Sequence, residues 1–538
     1  ARLVGSEMCI RDRLTRTDVE NVPRERIFFG ATRPLGQRTV NTARITNVTV
    51  DVGFTSDFQL YDWLTSRTTA GTQFFSNLFT RADAFGADVV AGCNSLTCTS
   101  SEFAVDETTT ESRTLGVFVD QEFGINDRLF INAAVRLDDN SAFGADFDAI
   151  VYPKLGASWV LSEEEFFPDF DQVSSFRVRT AWGASGAQPG PTDALRFFNA
   201  TAVTVDGQDV AGVTIGELGN PELEPEQSSE IELGFDLGLF NERATFNLTY
   251  YNKTTTDLLI EQPLPPSGGV GDDRFVNLGE VTNSGWELGL DTRILESPTL
   301  IWDLGLQFAT NETELVDLGN LPNGDPLPEI KTGEQWYTEG YPMAGYWDFP
   351  ITFDDANGDG IIDVSEITIG EEEVYLGSAI PTRDISANTA VTLWNKVRLN
   401  ALVDYRGGHK LHNLTESFRC QFAICEGLYE TGASLEEQAR ALAVTFTDVS
   451  TEDGFIEDAS FTRLREVGAT FFLPEEWAAR FGASRATFTA TGRNLLIFTD
   501  YTGADPEVNG TGNSNFRIRD FLTQPPVRTF VFRVNLNF

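Results

Sequence analysis

Strict alternation of apolar and polar residues dominates this chain, which is the period of a β-strand with two unlike faces. Ile231, Leu233, Phe235, Leu237 and Leu239 share one face, with Glu232, Gly234, Asp236 and Gly238 on the other. Ala244, Phe246, Leu248 and Tyr250 stand opposite Thr245, Asn247 and Thr249. The pattern returns at Leu300, Trp302, Leu304, Leu306 and Phe308 against Asp303, Gly305 and Gln307. It returns again at Val397, Leu399, Ala401, Val403 and Tyr405 against Arg398, Asn400, Asp404 and Arg406. A charged or small residue at every second position suits a water-filled lumen better than a dry sandwich core.

The connections alternate as well. Asn126-Asp127, Asn241-Glu242 and Asn395-Lys396 read as tight hairpin turns, and Glu296-Ser297-Pro298 as another short one. Long connections fall at roughly 70–111, 138–150, 185–227, 263–280, 313–384, 407–460 and 496–526. Short turns on one side and long loops on the other are the habit of outer-membrane barrels, with the long loops outside the cell. The predicted fold is therefore all-β, a transmembrane antiparallel β-barrel, with about fifteen strands in this chain. Segments 162–173 and 474–484 are longer than ideal short turns. In the last predicted strand Phe530, Phe532, Val534, Leu536 and Phe538 share one face, against Val531, Arg533, Asn535 and Asn537. That terminal Phe strand resembles the signal read by the outer-membrane barrel assembly machinery.

Composition narrows the class. The 538 residues contain no apolar run of about 18 or more, which excludes an ordinary transmembrane helix but not a barrel. Mean hydropathy is −0.18. The 42 Phe suit a lipid-facing wall with aromatic girdles. The formal net charge of −42 argues against nucleic acid as a partner, since phosphates need a basic face. Cys93 with Cys98, and Cys420 with Cys425, are spaced for local disulfides in an oxidising compartment. Residues 1–13, which include Cys9, show neither strand nor helix periodicity and read as a sequencing artefact without fold. The barrel portion is then 14–538. An open set of strands cannot leave its edges in lipid, so the chain is expected to be the C-terminal piece of a larger barrel.

Several stretches from about residue 40 onward resemble SusC/RagA-type transporters, which are TonB-dependent receptors. Arg136, Asp138, Phe143 and Gly144 sit at their places in an R-x-D-x-S-x-x-F-G strand and loop, with Ser141 one place late after Asn140, and Ser175–Gly190 resembles an L-R-x-S-x-G-x-x-G-N-Q segment. Gly219–Leu259 is similar along its length. Asn277, Gly279, Asn283, Gly285, Glu287 and Leu288 match N-x-G-x-x-x-N-x-G-x-E-L. Glu457–Pro474 and Gly492–Gly510 are the nearest matches of all. The resemblance implies a barrel of about 22 strands around an N-terminal plug. It implies import of oligosaccharides or peptides, driven by TonB–ExbB–ExbD through that plug, with a SusD-like surface lipoprotein as lid. The plug and the TonB-contacting box lie outside this sequence. The alternative is a passive porin-like or ligand-binding barrel without a plug. A soluble all-β glycan-binding or hydrolytic protein is the third reading, disfavoured because no propeller-like repeat is seen.

One motif carries chemistry of its own. Asp355, Asn357, Asp359, Ile361, Asp363 and Glu366 occupy the ligand positions of an EF-hand-like calcium loop, with Gly360 at its turn. Flanking EF helices are not evident, and the rival reading is a solvated acidic loop built on Asx-turns. Trp336, Tyr337, Tyr341, Tyr346 and Trp347 cluster just before it. They are candidates for substrate or lid contact, against an ordinary packing role. His409 and His412 are expected as a surface loop pair rather than a metal site. No G-x-S-x-G elbow, P-loop or Rossmann pattern appears, so no catalytic residue and no catalytic cofactor is assigned.

Overall fold

A computed structural model describes residues 6–21, 36–90, 92–93, 95–143, 149–205, 207–216, 218–263, 273–321, 324–430, 432–510 and 518–538. Seventeen strands belong to one large sheet, and neighbours in sequence pair antiparallel. The chain divides into two units. The first comprises Ala1–Ala157, Trp182–Ser229 and Thr256–Leu278; the second comprises Ser158–Ala181, Glu230–Thr255 and Gly279–Phe538.

In the first unit the alternation places apolar side chains outward. Along Thr99–Ile125 and Leu129–Asn140, Val117 faces Leu137, Val119 faces Val135 and Phe123 faces Ile131. All six are exposed. The intervening pairs Gly116–Asp138, Phe118–Arg136 and Asp120–Ala134 carry the charge. A ladder of large exposed apolar residues backed by a polar face is unstable in water and suited to lipid. The R-x-D resemblance has a physical content here: Arg136 Nε donates to Asp138 Oδ1 at 2.7 Å on the polar face. Asn277 likewise clips the chain at Glu224, accepting from its N–H at 2.8 Å and donating to its carbonyl at 2.7 Å.

The second unit repeats the arrangement. Leu300–Thr310, Arg383–Leu393 and Val397–Gly407 are 11 residues each, close to the 9–11 that cross a bilayer when tilted. Trp302, Leu306, Ile385, Leu399 and Val467 are exposed. Asn400 and Arg493 reach Glu466 from the opposite side, each at 3.0 Å. Gly285 of the N-x-G-x-E-L stretch permits a close approach: a Cβ there would meet the Thr310 carbonyl at 2.0 Å and the Tyr251 hydroxyl at 2.6 Å. That hydroxyl donates to the Thr310 carbonyl at 3.2 Å. Thr529–Asn537 pairs with Arg485–Thr499, and Phe530, Phe532, Val534, Leu536 and Phe538 lie exposed in it or just after it.

Several expectations are corrected. Strand Ser6–Asn21 includes most of the stretch read as foldless, with Ser6 opposite Val52 and Asn21 opposite Gln37. A neighbouring strand offers a row of main-chain donors and acceptors that can be met without regard to side-chain pattern. Among the described residues the sheet has seventeen strands where about fifteen were expected, with Ser6–Asn21 and Glu312–Asp317 lying where none was foreseen. The span read as a loop at 70–111 is mostly strand, within Leu64–Val89 and Thr99–Ile125. Its adjacent apolar residues, Phe74 with Phe75 and Leu78 with Phe79, break the alternation that marks a strand in sequence. The turns at Asn126-Asp127 and Asn241-Glu242 hold, each with positive φ. The third falls one residue early, on Trp394 (φ 50°) and Asn395 (φ 55°).

The two faces should respond oppositely to charge. Val119→Arg or Leu399→Arg is expected to cost about 2–4 kcal/mol in a bilayer. The exposed but inward Gln307→Arg is expected to leave folding unchanged. Urea titration of the protein in lipid vesicles, read by electrophoretic mobility of the folded form, checks both.

Candidate functional site

The long connections of the second unit are folded. Ile330–Thr332, Gln335–Tyr337, Gly345–Asp348 and Val374–Ser378 form a four-stranded sheet. Ile351–Phe353 pairs with Ile367–Ile369, and Lys410–His412 with Ile456–Asp458. Helices Leu414–Gln421, Glu426–Tyr429 and Leu435–Thr445 follow. Ser434 and Glu437 close a capping box at the start of the last of these. Cys420 and Cys425 are disulfide-bonded and buried against Ala441, Val444 and Phe455. Cys93 and Cys98 are bonded in the first unit.

The two nearest family matches meet in space. Arg463 and Arg465 stand on strand Phe461–Phe472, and Asp505 and Glu507 on the segment after Arg485–Thr499. Arg463 Nη2 donates to Asp505 Oδ1 at 2.6 Å, and both residues are buried. Arg465 grips Glu507 through both terminal nitrogens, one at 2.7 Å, and donates from Nε to Asp404 at 2.5 Å. Arg406 joins them, 3.6 Å from Glu507 and 2.9 Å from Asp384. Burial pushes the Glu507 carboxyl up, but the arginines outweigh it and hold it below the usual range. Each buried charge is thus matched by a fork-shaped donor, the geometry in which arginine outperforms lysine. The set pins residues 500–510 to the strand. Sequence reading quoted these stretches without pairing them; opposite charges in R-x-R and D-x-E were the signal.

The aromatic cluster proves largely internal. Trp336, Tyr337 and Tyr346 are buried, which removes them as contacts for substrate or lid. Trp336 and Trp347 stack at 5.1 Å, and Tyr341 and Tyr375 pack on Trp347 at 4.8 and 5.6 Å. Lys331 Nζ sits 3.4 Å over Trp336 and 2.8 Å from Glu373. The Tyr346 hydroxyl donates to the Ile518 carbonyl, and burial pushes it well up. Tyr341 remains exposed and Trp347 half-buried.

The two histidines are also buried. His412 lies between Glu334, 3.6 Å from Nδ1, and Glu452, 3.4 Å from Nε2. It borders a cleft of about 240 Å³ with Glu334, Gln335, Tyr346, Ile518 and Arg519. His409 is 8% exposed, and its Nδ1 has no hydrogen-bond partner among the described residues. Burial depresses it, against an upward pull from Asp458. The expectation of a surface loop pair is therefore corrected: both rings are buried, among residues both earlier and later in the chain.

The acidic loop is ordered by its own main chain. Asp355 accepts from the N–H groups of Gly358, Asp359 and Gly360 at 2.8, 3.2 and 2.9 Å. Asn357 accepts from Asp359, and Asp359 from Ile361, both at 2.8 Å. Glu366 accepts from Ala356 at 3.1 Å and Asp363 at 3.0 Å. Gln438 ties the loop to helix Leu435–Thr445, accepting from Ile362 N–H at 2.9 Å and donating to the Gly360 carbonyl at 3.2 Å. Among the described residues, the carboxylates of this loop do not form a group of three or more placed to hold a metal ion. The donor types fit calcium, while convergence on one point requires some of these turn bonds to loosen.

In the first unit a recess of about 500 Å³ is lined by polar groups that include Asn47, Thr49, Asp51, Ser76, Asn77 and Gln188. Outward apolar ladders, inward polar faces and folded long loops together define a β-sheet protein of the outer-membrane type. Residues 12–408 match the family described as TonB dependent receptor-like, beta-barrel, and the chain belongs to that family of the outer membrane. It is 25% identical over 477 residues to TonB-dependent receptor P3 of Formosa agariphila, covering 80% of this chain and 46% of that protein. It is 23% identical over 450 residues to TonB-dependent receptor SusC of Bacteroides thetaiotaomicron, covering 77% and 43%. It superposes on the structure of the RagAB peptide transporter with a TM-score of 0.79 at 20% identity, covering 99% of this chain and 60% of that one. The chain thus spans about half the length of the curated relatives it matches.

His409 gives the loop assembly a pH dependence. Its folded form holds the neutral ring below the ordinary value of 6.5, so the unfolded chain binds the extra proton first as pH falls. Stability should therefore drop as pH falls through 6.5 and level off below the depressed folded value. Melting curves between about pH 7.5 and 5 should show this fall, and His409→Gln should flatten it.

Proposed function

We propose that this protein is the barrel portion of an outer-membrane importer of large nutrients, oligosaccharides or peptides, energised through TonB and lidded by a SusD-like surface lipoprotein. The observation that carries the reading is the family match over residues 12–408, joined to the likeness of fold to a peptide transporter over 99% of the chain. The polar recess in the first unit and the inward polar faces suit a hydrated cargo with many hydrogen-bonding groups. The protein is read as a non-enzyme because the family it belongs to is one of receptors. Tyr341 and Trp347 are the aromatic residues left as lid contacts, because they alone of the five are not buried. The exposed Phe ladder at 530–538 is read as the surface offered to the barrel assembly machinery.

Uptake by cells expressing the full-length protein tests the reading. A fluorescein-labelled oligopeptide mixture and a labelled linear glucan serve as probes, with and without TonB. Uptake of either that stops without TonB is expected. Uptake that persists unchanged without TonB would establish the passive barrel instead.

We also propose that the 355–366 loop takes calcium, with Asp355, Asn357, Asp359, the Ile361 carbonyl, Asp363 and Glu366 as ligands. The EF-hand-like spacing and the anchoring by Gln438 support it. Calcium at about 100 times its Kd should then stabilise the folded loop by about 2.7 kcal/mol. Melting with calcium, with magnesium and with Asp359→Ala checks this: a calcium-specific rise should vanish in the variant.

A further inference from the structure

In the first unit the polar face of three neighbouring strands carries ordered rows of side chains. Asn47, Asn77 and Ser112 stand side by side across Gln37–Tyr61, Leu64–Val89 and Thr99–Ile125. Thr49, Phe75 and Thr114 form the next row, and Asp51, Gln73 and Gly116 the one after. No bulge and no left-handed residue interrupts these stretches, so side-chain alternation holds along them. Val50, Phe74 and Leu115 accordingly fall on the other, apolar face.

The first two rows and Asp51 line the recess of about 500 Å³. Phe75 presents an aromatic face there, 38% exposed among amides and hydroxyls. Among the described residues Asp51 is the one charged group of the lining, and no Lys, Arg or His joins it. Arg136 lies over Gly116 in the Asp51 row, but it is held by Asp138 and Gln73. Asp51 Oδ1 has no hydrogen-bond partner among the described residues. The residue as a whole is half-buried, and rotation about its Cβ–Cγ bond turns either oxygen to the recess. An unmet carboxylate in a partly shielded place favours a cationic donor. Asn77 Nδ2 donates to Asn47 Oδ1 at 2.6 Å, which leaves the Asn47 amide to donate and the Asn77 carbonyl to accept. Thr49 and Ser112 add hydroxyls.

We propose that this recess is a subsite for an amino sugar whose amine is protonated. The ammonium pairs with Asp51, the C–H face of the ring lies on Phe75, and the ring hydroxyls bond to Asn47, Asn77, Thr49 and Ser112. A uronate or a sulfate would meet Asp51 with like charge and find no base. A neutral sugar would leave the carboxylate unmet. A bare amine, such as a peptide side chain carries, would leave Phe75, the amides and the hydroxyls unused. The inference rests on the importer reading and narrows its cargo to a glycan with free amines.

Calorimetric titration of the full-length protein in detergent, without TonB and slightly below neutral pH, tests the site apart from transport. The probes are a trisaccharide of glucosamine, its N-acetylated form and trilysine. Saturable binding of the free-amine sugar is expected, at least about tenfold tighter than either other probe and weakened at least about tenfold by Asp51→Asn. Phe75→Leu should weaken the sugar and leave trilysine as it was. Thr49→Lys, which brings a competing cation into the recess, should weaken the sugar as Asp51→Asn does and guards against misfolding of that variant. No saturable binding, equal binding of the acetylated sugar or of trilysine, or a sugar affinity unmoved by these variants would each overturn the proposal. Failure of the importer reading shows differently, as uptake that ignores TonB while binding through Asp51 persists.

Discussion

Every main-chain amide that enters a hydrocarbon layer must find its partner inside the protein, because no water is there to replace it. This requirement orders the whole chain. It forces the membrane-crossing residues into ladders such as Leu129–Asn140 against Thr114–Ile125, and Arg383–Leu393 against Val397–Gly407. Once pairing is fixed, the two-residue period leaves only two faces to distribute. Val117, Val119, Val135 and Leu137 go outward, while Arg136 and Asp138 go inward. Along these ladders the usual burial rule is inverted, with large apolar residues exposed on one face and the Arg136–Asp138 pair on the other.

Away from lipid the constraint relaxes, and the connections use a different means of order. The loops of the second unit are built as a small folded assembly, with their own apolar cluster around Tyr346, Ala379 and Ile456. A disulfide at Cys420–Cys425 staples its helices, and capping by Ser434 fixes where the last one starts. The Arg463 and Arg465 pairs are different in kind. A buried pair gains little over an apolar alternative, but breaking one partner leaves an uncompensated charge and costs several kcal/mol. Such a clamp specifies one position for residues 500–510 rather than adding much stability.

The strands with one wet and one apolar face were legible from sequence, as were the tight turns at Asn126 and Asn241. Each rests on a local rule: side-chain alternation, or the tolerance of Asn and Asp for left-handed φ. The same reading failed over residues 70–111, which are mostly strand although apolar residues such as Phe74, Phe75, Leu78 and Phe79 do not alternate strictly with polar ones. Ser6–Asn21 pairs through the main chain with no periodicity to announce it. The Trp394 turn was displaced by one residue because tertiary pairing, including Trp394 N–H to the Thr299 carbonyl at 2.8 Å, overrode the preference of Asn-Lys.

The sequence by itself determined the class of protein, because alternation and resemblance are both properties of neighbours in the chain. It determined the acidic loop too, since the turn bonds of Asp355, Asn357 and Asp359 span at most five residues. Only the tertiary structure decided which side chains are within reach of a partner. It buried Trp336, Tyr337, Tyr346 and both histidines beneath segments far away in sequence, such as Ile518 over Tyr346. It also joined Arg463 to Asp505 across 42 positions. Burial and pairing at that range depend on where distant segments come to lie, and no local pattern encodes that.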